Sequence, residues 1–287
     1  MHQFVQTMPT NQELVEDFLK NLEGVSDTTK REYGSKLRQM TNQVTFDTKE
    51  SDLVKFLEDI PNPNTRSNKA FALLRLRKFH KLPIAELEQL REDTKLKIRQ
   101  HRKEQAKKNN DSLVTYDQLM DTLDTLHGRD YFMNYMYAKH GLRNRDINVR
   151  YRPSLGKATK NENLIVFNPK QKGNKVTLYI MDYKTAGTYG PKTIVIRDQR
   201  LYEELKSMDM KNGDYVFKMT NGSKPTINYM NVLATKHSIN NYGEGRIAKI
   251  LVKHLLDNKR YSDLEELSQQ RGTSLGTLYS VYNMQSQ

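Results

Sequence analysis

The chain has no cysteine, which excludes disulfides, thiolate zinc sites and a cysteine nucleophile. That fits a reducing compartment without requiring one. No apolar run approaches the roughly twenty residues that cross a bilayer, and residues 1–20 lack the apolar block of a signal peptide. A place in the cytoplasm or nucleus, with no membrane partner, is therefore expected. No P-loop and no clustered metal-ligand motif occurs.

What the chain has in excess is positive charge. Lys and Arg number 47 against 34 Asp and Glu in 287 residues, a net of +13. Such a surplus favours a polyanionic partner, nucleic acid before membrane, because each phosphate neutralised releases condensed counterions. The surplus is local. Residues 1–65 carry 7 basic and 11 acidic side chains, whereas residues 66–108 carry 14 basic and 5 acidic. A length of 287 residues accommodates two ordinary domains with sizeable cores.

Apolar residues recur at helical spacing through the first hundred residues. Leu14, Val15, Phe18, Leu19 and Leu22 mark one helix, with Asn11 as its expected cap. Ser26 or Asp27 opens a second, carrying Tyr33, Leu37 and Met40. A third starts at Ser51 and stops at Pro61-Asn62-Pro63, where restricted backbone and missing amides break it. A fourth, from about Asn64 to Phe79, mixes Phe71, Leu73, Leu74 and Leu76 with Arg75, Arg77 and Lys78. Beyond it, Lys95, Lys97, Arg99, Arg102, Lys103, Lys107 and Lys108 form a basic run suited to a DNA backbone or to a solvated helix face. The expected organisation is a helical domain over residues 1–104, a basic linker over 105–112 and a second domain over 113–287.

In the second domain Tyr116 to Leu126 reads as a helix capped by Thr115 or Asp117, and Tyr131 to Ala138 as a buried one. It leads into His140-Gly141-Leu142-Arg143-Asn144-Arg145-Asp146-Ile147. Residues 163–168, 175–181 and 192–197 are short β-rich runs, the last preceded by the turn Asp182-Tyr183-Lys184-Thr185 through Lys192. Helices follow near Gln199–Met208 and Thr226–His237. An apolar segment then opens at Arg246, and the turn Gly272-Thr273 precedes Tyr279 and Tyr282. The predicted fold class is mainly α with a small antiparallel β-sheet.

This order of motifs resembles the tyrosine recombinase (phage-integrase) family. Gly141, Arg143, Asp146 and Ile147 fit its G-x-R-x-x-E/D-aliphatic motif, and Lys184-Thr185 is similar to its hairpin lysine, with Lys192 the second candidate. Arg246 stands at its second arginine. Nine residues separate Thr273 from Tyr282, the family's spacing between its turn residue and nucleophile, which favours Tyr282 over Tyr279. The phrase from Ser26 to Tyr33 resembles an opening helix of the family's core-binding domain.

The resemblance implies site-specific cleavage and rejoining of double-stranded DNA through a 3′-phosphotyrosyl intermediate, as in recombination and integration, with no metal and no cofactor because the bond energy is stored in the protein–DNA ester. Tyr282 would attack the phosphodiester and Lys184 would protonate the leaving oxygen. Arg143 and Arg246 would grip the phosphoryl oxygens bidentately, Arg143 being held by Asp146 three residues on. Thr273 would donate to the phosphate, and Arg75, Arg77, Lys78, Lys95, Arg99, Arg102 and Lys103 would meet the DNA backbone. A homotetramer on two sites is the expected assembly, with a very short exchanged tail because five residues follow Tyr282.

Two positions depart from the pattern. Gly243 lies where a histidine normally precedes the second arginine, and Thr273 replaces a histidine or tryptophan. A tyrosine of reference pKa about 10 must lose its proton to attack, and one general base contributes roughly 10²–10⁴ in rate. The expected enzyme is slow or dependent on assembly. The alternatives are a recombinase-derived protein that binds DNA without cutting it and a type IB topoisomerase-like enzyme.

Overall fold

The structure is a computed structural model that describes residues 9–110, 113–156, 162–170 and 173–279. The chain divides into two compact units, residues 1–108 and 109–287.

The first unit is helical: α1 (Asn11–Asn21), α2 (Asp27–Arg38), α3 (Glu50–Glu58), α4 (Pro63–Phe79) and α5 (Ala85–Asn110). Thr10 caps α1 through a reciprocal bond pair with Glu13, which frees Asn11 for another task. The Asn11 amide donates to the carbonyls of Thr41 and Val44 at 2.7 Å each and accepts the Phe46 N–H at 2.8 Å. From the opposite side Arg77 donates to the carbonyls of Phe46, Thr48 and Pro83. The loop between α2 and α3 can therefore sink Phe46 fully into the core without stranding its backbone polar groups. Glu50, also buried, accepts the Leu87 N–H at 2.8 Å and so caps the first turn of α5.

Arg77 is thus a structural cation, 1 % exposed. This corrects its expected role on DNA, since its donors face carbonyls inside the unit. Lys78 and Arg99 are exposed, Arg75 and Lys95 are half-buried, and Lys95 pairs with Glu92 at 2.5 Å. The side chains of Arg102 and Lys103 lie outside the described residues. Within the expected linker over 105–112, α5 continues as helix to Asn110, and residues 111–112 lie outside the described residues.

The second unit is built around α7 (Gly128–His140), whose residues Tyr131 to Ala138 are all buried. It packs against α6 (Tyr116–Leu123), α9 (Gln199–Ser207), α11 (Gly243–Asp257) and α12 (Tyr261–Arg271). A four-stranded sheet runs in the order β1 (Arg150–Arg152), β2 (Leu164–Val166), β3 (Lys175–Ile180) and β4 (Lys192–Arg197). β2, β3 and β4 are antiparallel neighbours, while β1 pairs with β2 in parallel, so the sheet is mixed rather than purely antiparallel. Ile194 and Ile196 face the core and Thr193, Val195 and Arg197 face out, the period-two alternation of a half-buried strand. A short helix, α8 (Ala186–Tyr189), lies in the β3–β4 connection, and α10 (Ile227–His237) precedes α11. After α12 the chain forms one short turn of helix, α13 (Leu275–Thr277), and buries Leu278 against α11 and α12.

Candidate active site

The C-terminus of α7 sets the position of Arg143. Gly141 adopts a left-handed conformation (φ 58°), with the Leu142 N–H returning to the Met136 carbonyl at 3.2 Å. A Cβ at Gly141 would lie 2.5 Å from Leu267 of α12, so a side chain here meets both strain and a clash. The turn that follows is fixed by side chains. Asp146 accepts the Arg143 backbone N–H at 3.1 Å, and Glu244 of α11 accepts the next amide, that of Asn144. Asn144 itself accepts from the Tyr137 hydroxyl and donates to Asn231 of α10 at 2.7 Å.

Asn163 ties this turn to the sheet. Its amide donates to the carbonyls of Arg145 and Asp182 at 2.9 and 2.8 Å, and its oxygen accepts the N–H groups of Met181 and Asp182 at 2.8 and 2.7 Å. The residue is buried, and these bonds, with a longer one to the Asp146 carbonyl at 3.4 Å, hold the Arg143–Asp146 turn against the end of β3.

Three donors from separate parts of the chain converge on the C-terminus of α12. Lys192 donates to the Gln270 carbonyl at 2.9 Å, Arg143 to the Arg271 carbonyl at 2.5 Å, and the Thr185 hydroxyl to the Gly272 carbonyl at 2.7 Å. These carbonyls lack partners within the helix and carry its negative dipole end, so cations are stabilised beside them. Arg271 completes the junction by donating to the Gly141 carbonyl. Gly272 is left-handed (φ 57°) and so closely covered that a Cβ would lie 2.6 Å from the Thr185 hydroxyl, 2.8 Å from Tyr183 and 3.0 Å from Lys192 Nζ.

The electrostatics of the cluster are strained. Asp146 is fully buried and one of its oxygens has no hydrogen-bond partner among the described residues. Burial raises its pKa to about 6, against the opposing pull of the Arg143 amide, Lys192 and Arg143. Burial likewise lowers Lys192 to about 8; Asp146 resists this while Arg143 and Arg271 add to it. The Lys192 ammonium also sits 3.4 Å from the centroid of the Tyr183 ring, a cation–π contact that offsets part of its lost hydration.

The structure therefore gathers Arg143, Asp146, Lys192 and the Gly272-Thr273 turn. Lys184, the lysine first expected here, is exposed and has no hydrogen bond or ion pair among the described residues. Asp146 holds the Arg143 backbone rather than its guanidinium. The Thr273 hydroxyl makes no hydrogen bond among the described residues, while its N–H and carbonyl bond to Ser268 at 3.0 and 2.8 Å. Arg246 is exposed on the first turn of α11, 5.6 Å over the Tyr242 ring, with no ion pair or hydrogen bond to Asp146. His237 turns to Asp130 at 3.3 Å instead of toward this cluster. Tyr279 is 41 % exposed, and Tyr282 lies outside the described residues. Asn144, Asn163, Glu244 and Gln270 organise the site without any motif that marks them in the sequence. Among the described residues no group of three or more His, Asp or Glu is arranged to hold a metal ion.

No protein-family model matches this sequence, and no curated protein matches it. Among solved structures, the crystal structure of XerA recombinase is similar over 96 % of this chain and 94 % of its own, at 12 % identity and a TM-score of 0.37.

Proposed function

We propose that this chain cleaves and rejoins double-stranded DNA by the chemistry of a tyrosine recombinase, through a 3′-phosphotyrosyl intermediate. The observation that carries the reading is the convergence of Arg143 on the Arg271 carbonyl and of Lys192 on the Gln270 carbonyl, at the start of the segment that leads to Tyr282. Three stretches far apart in sequence meet there, and two of them bring a cation of the type that the reaction needs.

In this reading Arg143 binds the non-bridging oxygens of the scissile phosphate and stabilises the charge that grows on them. Its contact with Arg271 and the Lys192 contact with Gln270 leave further donors on both groups for a phosphate. Lys192 takes the acid role in preference to Lys184. A lysine with a pKa near 8 gives up its proton more readily than a solvated one and is still charged at neutral pH. Tyr282 is the nucleophile, Arg246 the second phosphate ligand and Thr273 a neutral donor to the phosphate. The Tyr282 phenol releases its proton to solvent as its oxygen bonds to phosphorus, the P–O5′ bond breaks with the 5′ oxygen taking the Lys192 proton, and the reverse steps on a second strand rejoin the DNA. The partner is duplex DNA, held in part by Lys78, Lys95 and Arg99, and several protomers share two sites.

A second reading has its own support. Both Arg143 and Lys192 already neutralise a helix C-terminus, a task that needs no catalysis, and Gly243 and Thr273 stand where the family has proton-transfer groups. A recombinase-derived protein that binds DNA without cutting it would keep these features. A duplex carrying a nick beside the cleavage site separates the two. The enzyme becomes covalently trapped and its Y282F variant does not, whereas the binding protein shifts the duplex in a gel but forms no adduct that survives denaturant.

A further inference from the structure

Two carboxylates hold consecutive amides at Arg143. Asp146 accepts the N–H of Arg143, and Glu244, from the first turn of α11, accepts the N–H of Asn144. The two acids are close enough for Glu244 to push the Asp146 pKa upward. Placing like charges together has an electrostatic cost, and here it secures both peptide planes that flank one arginine Cα. The Asn144 side chain is occupied elsewhere, with Tyr137 and Asn231, so the Glu244 bond is an independent constraint on the backbone.

We infer that Glu244 is a positioning residue that aims the Arg143 guanidinium at its phosphate. Glu244 lies two residues before Arg246, near the place where a general base would act in the proposed reaction, but one of its carboxylate oxygens is held by the Asn144 amide. It therefore acts through Arg143 and does not accept the proton of the nucleophile. The inference rests on the proposed reading for its effect on cleavage, but the clamp itself does not depend on that reading.

E244Q keeps an acceptor oxygen and removes the charge; E244A removes both. Amide hydrogen exchange at Asn144 reads the clamp directly. Protection is expected in the wild type and in E244Q, and exchange at least about tenfold faster in E244A, the scale of one charge-assisted bond. On the nicked duplex E244A is expected to lose about tenfold or more in trapping rate, and E244Q to restore most of it. A general base would give the opposite result: E244Q as slow as E244A, with Asn144 exchange unchanged in both. Equal Asn144 protection in all three proteins overturns the clamp whatever their activity. Faster exchange in E244A alone, with no adduct from any protein including wild type, keeps the clamp and rejects the cleavage reading. A thermal midpoint for each variant separates local opening at Asn144 from loss of the whole fold.

Discussion

Gly272 leaves no room for a Cβ beside Lys192, whose ammonium would stand 3.0 Å from it. The same Cβ would meet the Thr185 hydroxyl at 2.6 Å and Tyr183 at 2.8 Å, and the backbone is left-handed as well. G272A is therefore expected to destabilise the second unit by about 2–4 kcal/mol, combining αL strain with overpacking. Gly243 is the control. It is also left-handed (φ 65°), but a Cβ there would meet nothing within 4 Å, so G243A should cost only about 1 kcal/mol. Urea denaturation of the two variants checks the difference.

Asp146 gives a pH prediction whose sign follows from its environment. Its pKa is raised in the folded state to about 6, so between that value and the unfolded one, near 4, the native protein binds the extra proton. Stability from this group is then present at acid pH and is lost as pH rises through 6. The ionised form costs about 3 kcal/mol at neutral pH relative to an unperturbed carboxylate. D146N retains an acceptor for the Arg143 amide without the charge. Its stability relative to wild type should improve by a few kcal/mol between pH 4 and pH 7, as measured by denaturation across that range.

Asn163 is expected to be intolerant of its own isostere. N163A abandons two buried N–H groups and the carbonyls of Arg145 and Asp182, which predicts a loss of about 2–4 kcal/mol. N163D is predicted to be worse, because a carboxylate cannot donate to those carbonyls and brings an unpaired charge into a buried position. Denaturation midpoints of the two variants give the order.

Arg77 and Lys78 are adjacent in sequence and should behave oppositely. R77A removes the donors of three loop carbonyls and should destabilise the first unit by about 3 kcal/mol. K78A should leave stability within about 0.5 kcal/mol and lower the salt dependence of DNA binding by about one counterion. Binding isotherms at several salt concentrations, beside a denaturation curve, distinguish the two outcomes.

Most of the helices and three of the strands are legible because they rest on local chemistry, whereas α8 falls within the expected turn before β4 and α12 in a charged stretch ahead of the Gly272 turn. Capping by Ser26, Asn62, Thr115 and Thr226, apolar spacing and the Pro61-Asn62-Pro63 break all act within a few residues. β1 is not legible, since Arg150-Tyr151-Arg152 has no apolar alternation and its pairing with β2 is decided across the intervening loop. The burial of Arg77 is equally hidden, because a charge run does not reveal which of its members faces a core loop. The same holds for the lysines of the β3–β4 connection. Lys184 has the familiar wording, but Lys192 begins β4 and its register opposite Ile180 carries it to the end of α12. The glycines are readable as turns; what they make room for is not.

The central claim is that Arg143, Lys192 and Tyr282 act on one phosphodiester. Its most direct test is to isolate the covalent complex with a nicked duplex, digest the protein and locate the DNA-bearing peptide by mass spectrometry. The account predicts an adduct on Tyr282, with the trapping rate reduced by about a hundredfold or more in R143A and K192A and much less in K184A. An adduct on another residue, or one formed equally fast without Arg143 and Lys192, would contradict it, as would the absence of any adduct from protein that binds the duplex.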